Sequence, residues 1–198
     1  KNIHINKKNI NIIMHSRILW DKGVKEFKEA ATILSKKNNK YKFLLVGKND
    51  KNNPSCVPDS VLNEWNKLKY FKWLGYKENI LSYILKSDIS CLPSYREGLP
   101  RSILEDCSCG IPVIASDIPG CREIIKNNFN GLLIPAKDSI LLAKAIEKLA
   151  LNTSLGRKFA KRGRKIIISK FSFEKISKQT LNLYLNLLEY KSKLWKSA

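Results

Sequence analysis

Two glutamates, Glu97 and Glu105, stand eight positions apart in the stretch REGLPRSILE, which covers residues 96–105. Gly98 and Pro100 lie between them and mark a loop that turns into a helix. A carboxylate accepts hydrogen bonds from two neighbouring hydroxyl groups at once. Two carboxylates that flank a helix amino terminus therefore suit a ligand with two diols separated by phosphates, such as a nucleotide sugar. Because this spacing also arises by chance, the alternative is a pair of solvated charges.

Two cations form a second candidate group in the stretch SRILWDKG, residues 16–23, where Arg17 and Lys22 stand five positions apart. The stretch joins a predicted strand to a predicted helix. Cations at a helix amino terminus are unfavourable for that helix, so the pair indicates a bound anion such as a diphosphate. The stretch alone is equally compatible with two side chains that point into water.

The formal net charge of +20 raises the question of a polyanionic partner. Only seven of the 37 basic residues are arginine. Lysine, asparagine and isoleucine are all abundant, and A/T-rich codons favour these three residue types together. Codon bias can therefore produce the charge without such a partner, and each arginine becomes a candidate for a bidentate contact. The arginines beside turns or predicted loops are Arg17, Arg96, Arg101 and Arg122. Those expected to be surface charges on helices are Arg157, Arg162 and Arg164.

Cysteine usage favours a reducing compartment, because the count of five is odd and no paired C-x-x-C motifs occur at zinc-ribbon spacing. We expect reduced and mostly buried thiols at Cys56, Cys91, Cys107, Cys109 and Cys121. The residue types form no His/Asp cluster that suggests a metal site. No stretch of about 18 uncharged apolar residues is present to span a bilayer, and we expect a cytoplasmic protein.

Short apolar runs that alternate with helical periodicity must position these groups. The predicted strands cover residues 9–14, 41–47, 70–75, 88–93, 112–116 and 131–135. The predicted helices cover residues 24–37, 62–68, 78–87, 100–110, 122–126, 138–151, 154–168 and 173–195. This order predicts an α/β fold with a Rossmann-like, doubly wound parallel sheet. Ligands bind at the carboxyl ends of such strands, which is where both candidate groups fall.

Four stretches carry a resemblance to a known family: residues 16–23, 87–105, 109–125 (CGIPVIASDIPGCREII) and 130–135 (NGLLIP). Together and in this order they resemble the carboxyl-terminal, donor-binding domain of glycosyltransferase family 4, also called group 1. The resemblance runs from about residue 10 to residue 190. It implies the carboxyl-terminal half of a retaining glycosyltransferase of GT-B fold. Taken alone, residues 109–125 would have a structural role only, with turns at both ends of a strand.

The resemblance implies roles for the charged candidates. Arg17 and Lys22 match the pair that holds the donor diphosphate, and Glu97 matches the glutamate that contacts the hydroxyls of the donor sugar. We expect these three to be the catalytic residues, with Glu97 positioning the sugar. Glu105 matches the second glutamate of the family motif, which binds ribose hydroxyls. His15, beside the arginine loop, is expected to be a local packing or hydrogen-bonding residue, and neither a metal nor another cofactor is expected.

Further donor-binding positions follow from the same resemblance. The backbone of Gly98, Leu99 and Pro100 would lie along the sugar and phosphates, and Gly98 would allow a close approach or an unusual φ. The loop around Gly75 and Tyr76 matches the segment that meets the nucleobase. Ser16 stands where the family usually has glycine, and its hydroxyl would either contact a phosphate or fill space.

The resemblance also predicts how the chain is organised. Residues 1–172 would form the Rossmann-like donor domain, and residues 173–198 would form terminal helices that pack back toward an amino-terminal acceptor domain which this chain lacks. An apolar patch is then expected among Leu181, Leu183, Leu185, Leu188 and Trp195. The chain alone would bind the donor weakly and transfer little or nothing.

The implied activity is hexosyl transfer with retention of configuration, from a UDP-linked hexose or N-acetylated hexose to a glycan or lipid-linked acceptor. Bacterial surface polysaccharide biosynthesis, of capsule or lipopolysaccharide, is the expected setting, with peripheral contact at the anionic inner face of the cytoplasmic membrane. One alternative is a UDP-sugar epimerase of the same architecture. Another is a basic module for nucleic acid or membranes that uses KRGRK, residues 161–165. No recognised nucleic-acid motif accompanies the charge, so no nucleic-acid partner is expected.

Overall fold

The computed structural model describes the backbone of residues 9–196 and the side chains of residues 9–190. Six parallel strands form one sheet in the order β3-β2-β1-β4-β5-β6. The strands are β1 (Ile10–His15), β2 (Tyr41–Val46), β3 (Phe71–Trp73), β4 (Ile89–Leu92), β5 (Val113–Ser116) and β6 (Leu132–Ile134). The predicted doubly wound, Rossmann-like α/β fold is confirmed.

The described chain also contains eight α-helices, and a short 3-10 helix, Trp20–Lys22, precedes the first of them. They are α1 (Val24–Lys37), α2 (Asp59–Trp65), α3 (Ile80–Ile84), α4 (Arg101–Ser108), α5 (Pro119–Arg122), α6 (Ser139–Leu151), α7 (Thr153–Lys170) and α8 (Phe173–Lys196). The helix predicted at 122–126 is wrong in position, because Pro119 starts α5 earlier with a φ already suited to a helix. Helix α2 likewise begins earlier than predicted, directly after Pro58.

The core follows from strands that are apolar on both faces. All four residues of β4 and all four of β5 are buried. On one side of the sheet, Phe27 of α1 packs edge-on against Phe43 of β2, with ring centroids 5.1 Å apart. On the other side, Ile103 of α4 packs in a cluster with Val113 and Ile125. Burial on both faces is what a parallel sheet between two helical layers requires.

The sheet has its topological switch point between β1 and β4, which are neighbours in the middle of the strand order. The chain continues from β1 to the β2 side and from β4 to the β5 side, so the loops after these strands part and leave a crevice. At Gly23, where φ is +77°, a Cβ atom would overlap the carbonyl oxygen of Pro93. The two loops therefore meet backbone to backbone at the edge of this crevice.

Helix α8 leaves a large apolar surface exposed. Leu181, Leu183, Leu185 and Leu188 are all exposed, as predicted, while the side chain of Trp195 lies outside the described residues. The segment predicted as terminal helices forms one helix as far as Lys196. Within the described chain, no helix is both long and apolar enough to cross a bilayer.

The contact between Gly23 and Pro93 can be tested by comparing two glycine substitutions. Gly110 also has positive φ, at +71°, but a Cβ there would meet nothing within 4 Å. We expect Gly110→Ala to cost about 1 kcal/mol of unfolding free energy, for the left-handed backbone alone. We expect Gly23→Ala to cost about 2 kcal/mol more, because the added carbon forces the loops apart. Urea denaturation of both variants measures the difference, and equal costs would show that the contact adds no stability.

Candidate functional site

A cleft of about 640 Å³ opens at the carboxyl edge of β1 and β4. Most of the side chains predicted to act together line it, namely Ser16, Arg17, Lys22, Tyr76, Glu97, Pro100 and Glu105. The predicted positions that do not line it are Gly75, Gly98 and Leu99. The structure therefore brings the predicted cations and carboxylates into one place, although they are spread over three loops and a helix.

The most closely held pair in the cleft is Lys22 and Glu97. Lys22 Nζ lies 2.7 Å from Glu97 Oε1, and the two side chains are only 14% and 13% exposed. The residues just before them in sequence pair as well, because Arg96 Nε lies 3.3 Å from Asp21 Oδ2. Two parallel ion pairs thus tie the loop after β1 to the loop after β4. Lys22 points at Glu97 rather than into water. For this residue, the alternative that its side chain points into solvent is therefore wrong.

Hydrogen bonds reinforce this junction. The Tyr95 N–H donates to the carbonyl oxygen of Asp21 at 2.8 Å, and the Ser94 hydroxyl donates to the same oxygen at 3.1 Å. The Tyr95 hydroxyl donates to Glu26 Oε1 at 2.7 Å. Burial and the nearby Glu26 carboxylate raise the pKa of Tyr95 well above its ordinary range. Tyr95 therefore stays protonated and acts as a donor across the junction.

Helix α5 packs closely against the Glu97 loop at Gly120. A Cβ atom at Gly120 would overlap the carbonyl oxygens of both Glu97 and Gly98, so helix α5 can approach this loop only with glycine there. Gly98 itself has ordinary φ and open space around its Cα, so the expectation of an unusual backbone angle is wrong. The open space at Gly98 remains suited to a close approach by a ligand.

Arg17 is held much more loosely than Lys22. Its side chain is 60% exposed, and Nη1 contacts Asp50 Oδ2 at 3.5 Å, a pair that contributes little stability in water. The Ser16 hydroxyl donates to the Arg17 carbonyl oxygen at 2.9 Å and so is engaged with its own backbone. The guanidinium of Arg17 can therefore turn toward a ligand at low cost.

Helix α4 presents its amino terminus to the cleft. It begins at Arg101, with Pro100 as the N-cap rather than the first helical residue, and no side chain caps it. The first N–H groups of a helix have no partners within it and carry a partial positive charge, which favours an anion. Arg101 and Ser102 also line the cleft. One turn further along, the side chain of Glu105 is 44% exposed and faces the same space.

A buried polar network fixes α4 against the sheet. His15 Nε2 lies 2.9 Å from Asp106 Oδ1, and the Ser90 hydroxyl donates to Asp106 Oδ2 at 2.5 Å. His15 Nδ1 lies 3.8 Å from Glu105 Oε2. Burial lowers the pKa of His15, but Asp106 and Glu105 together outweigh burial and raise it above its ordinary value. Of the two roles expected for His15, packing or hydrogen bonding, the structure shows a hydrogen bond with Asp106, while Glu105 lies beyond hydrogen-bond distance from His15.

Several lining residues escaped the sequence analysis, among them Lys48, Glu78 and Ser102. Lys48 follows Gly47 at the carboxyl end of β2, and with Arg17 it also lines an adjoining pocket of about 500 Å³. The sequence could have identified Lys48 by its position just after the predicted strand 41–47, because ligands bind at the carboxyl ends of parallel strands.

The cysteines behave as buried thiols rather than as ligands. Cys91, Cys107 and Cys121 are buried, Cys56 and Cys109 are partly buried, and all five are free. Burial raises the pKa of Cys121 to about 12, so its thiol is unreactive near neutral pH. Within the part of the chain that the structure describes, no group of three or more His, Cys, Asp or Glu side chains is arranged to hold a metal ion.

The family model described as "Glycosyl transferases group 1" matches residues 1–166. The chain is 42% identical over 158 residues to the N,N'-diacetylbacillosaminyl-diphospho-undecaprenol alpha-1,3-N-acetylgalactosaminyltransferase of Campylobacter jejuni. That match covers 77% of this chain and 40% of the relative. The chain therefore spans less than half the length of this curated relative.

Solved structures agree with the fold. A Staphylococcus aureus TarM variant, in complex with fondaparinux, alpha-GlcNAc-glycerol and UDP, superposes with a TM-score of 0.78 at 27% identity. The superposition covers 93% of this chain and 38% of TarM. The carboxyl-terminal domain of a glycosyl transferase group 1 family protein from Francisella tularensis superposes with a TM-score of 0.72 at 25% identity. Here the match covers 83% of this chain and 87% of that domain.

The raised pKa of His15 predicts how stability depends on pH. Its ordinary value is 6.5, so protonated His15 contributes its full stabilisation below that pH and loses it as pH rises through the higher folded pKa. We expect the unfolding free energy of the wild type to fall, relative to that of His15→Gln, between about pH 6 and about pH 8. Urea denaturation of both proteins across this range measures the effect, and parallel pH profiles would contradict it.

Proposed function

Because the chain belongs to the family of group 1 glycosyl transferases, we propose that its cleft is the nucleotide-sugar site of a retaining glycosyltransferase. One observation carries this assignment: Arg17, Lys22, Glu97 and Glu105 all line one cleft at the switch point of the sheet. Cations for a diphosphate and carboxylates for two sets of hydroxyls then lie within reach of one ligand.

The electrostatics of the cleft suit an anionic donor. Glu97 would repel a diphosphate, but its charge is balanced by Lys22 at 2.7 Å. Arg17, Lys48 and the amino terminus of α4 add positive potential on the same walls. The diphosphate would therefore lie toward Arg17 and Lys22, with Pro100 at the start of α4 alongside it.

Retaining transfer breaks the bond between the sugar and the diphosphate, so negative charge grows on the departing group. Fixed cations stabilise such charge without reorganisation, which is the role we assign to Lys22. Arg17 would turn from its weak contact with Asp50 to complete the site. Glu97 would accept hydrogen bonds from the hydroxyls of the sugar and hold it in place. The hydroxyl of the acceptor would form the new bond to the anomeric carbon as the old bond breaks, and its proton would pass to the departing diphosphate. We propose no divalent metal for this step.

Glu105, whose Oε2 lies 3.8 Å from His15 Nδ1, would bind the two ribose hydroxyls. The loop of Gly75 and Tyr76 would meet the nucleobase. Tyr76 lines the cleft, and its side chain is exposed, so it is placed to cover a base. The presence of UDP in the TarM structure supports uracil as that base.

For the whole enzyme we propose transfer of a UDP-linked hexose or N-acetylated hexose to a glycan or lipid-linked acceptor in bacterial surface polysaccharide biosynthesis. The Campylobacter relative supports this, since its name gives an N-acetylgalactosaminyl group and a diphospho-undecaprenol acceptor. The acceptor site would belong to an amino-terminal domain, whose surface would cover the exposed leucines of α8. Peripheral contact with an anionic membrane at its cytoplasmic face would bring a lipid-linked acceptor to the cleft.

Calorimetry with UDP tests the ribose assignment. We expect Glu105→Ala to weaken binding by roughly 1–3 kcal/mol, because two hydroxyls lose their acceptor. The penalty should shrink toward zero with a UDP analogue that lacks both ribose hydroxyls. Glu64→Ala, which removes an exposed glutamate of α2 outside the cleft, is the matched control for charge. An equal penalty with both ligands, or no penalty with either, would rule out the ribose role.

A further inference from the structure

A second and larger cavity, of about 970 Å³, lies at the amino edge of the sheet, opposite the cleft. Asn11 of β1, Asp88 just before β4 and Pro112 just before β5 line it from the sheet side. Its volume is within the range of sites for small molecules. The proposed transfer reaction uses none of its residues.

Four cations line this cavity. Arg157, Lys161 and Arg164 follow one another on α7 at intervals of four and three residues, which places them on one face of the helix. Lys86, just after α3, reaches the cavity from another part of the chain. Arg157 and Arg164 were predicted to be surface helix charges. That prediction is confirmed, because both are exposed on α7, and the structure adds that both line this cavity together with two lysines.

Among the described residues that line this cavity, basic side chains outnumber acidic ones. Among the described residues that line the cavity, Asp88 is the acidic one, and its Oδ2 accepts the backbone N–H of Asn11 at 2.9 Å. Like charges gathered on a concave surface raise the local potential and attract an anion.

Arg164 is partly fixed in advance. Its Nη1 donates to the carbonyl oxygen of Ser108, at the end of α4, at 2.7 Å. A guanidinium has five N–H donors in a planar fork, so this bond orients the group and leaves donors for a second acceptor. Only seven of the 37 basic residues are arginine, and two of them line this one cavity. Arginine matches the geometry of a phosphate group better than lysine does.

We propose that this cavity binds a phosphate-bearing anion at a site separate from the cleft. Lys161 and Arg164 would supply the contacts from α7, and Lys86 would add one from outside that helix. The phosphate group comes either from a soluble metabolite or from the headgroup of an anionic lipid. Both sources present the same doubly or singly charged oxygens to the same donors.

Two double variants with equal loss of charge test the site. Lys161→Gln with Arg164→Gln removes two cations that line the cavity, whereas Lys158→Gln with Lys165→Gln removes two exposed lysines of α7 that do not line it. Lys86→Gln removes a cation outside α7, in case loss of the bond to Ser108 impairs folding. One arm titrates inorganic phosphate into the isotope-labelled chain by NMR, with UDP present. The other arm measures sedimentation with phosphatidylcholine vesicles, with and without phosphatidylglycerol.

We expect the cavity pair to bind roughly tenfold more weakly than the control pair, and Lys86→Gln to follow the cavity pair. If the two double variants differ in the phosphate titration, the phosphate group comes from a soluble metabolite. If they differ in vesicle sedimentation, it comes from a lipid headgroup. Equal behaviour of the two double variants in both arms, or no binding by the wild type in either, would overturn the site. The comparison between pairs holds even if UDP does not bind, so failure of the proposed donor site would be recognised separately.

Discussion

The ion pair between Lys22 and Glu97 holds together the two loops on which the cleft depends. Most of both side chains lies out of water, with the charged atoms 2.7 Å apart. A charge left there without its partner would lose hydration without compensation, so separating the loops costs free energy. The junction also has no room for extra atoms, because Gly23 meets the Pro93 carbonyl and Gly120 meets the Glu97 carbonyl. Charge and shape therefore fix the loops before a ligand arrives.

The rest of the cleft combines fixed and adaptable groups around this junction. The backbone of Glu105 is fixed indirectly, since α4 is anchored through Asp106 to His15 on the central strand. Arg17 is adaptable, because its exposed contact with Asp50 is weak. A ligand would thus meet Lys22 and Glu97 already in position, and it would bind to the more exposed side chains of Arg17 and Glu105 as they adjust to it. Preorganisation of this kind reduces the ordering cost of binding.

Much of the fold was predictable, because buried parallel strands are continuous apolar runs and their carboxyl ends share one edge. Because these carboxyl ends share one edge, the sequence also predicted that Arg17 and Glu105 lie near each other. The pairing of Lys22 with Glu97 was not predictable from the residues alone, because it spans 75 positions and depends on β1 lying beside β4. The grouping of Arg157 with Arg164 on a concave wall was also missed, since helical periodicity shows a shared face but not what that face covers.

The most direct test of the account is the affinity of UDP and of UDP-N-acetylgalactosamine for the wild type and for Glu97→Gln, measured by calorimetry. We predict that Glu97→Gln keeps or improves binding of UDP, because Lys22 loses its competing carboxylate. We also predict that the variant loses roughly tenfold in the additional affinity that the sugar provides, since a charged acceptor for its hydroxyls is gone. An equal loss of affinity for both ligands would contradict the division of roles between Lys22 and Glu97.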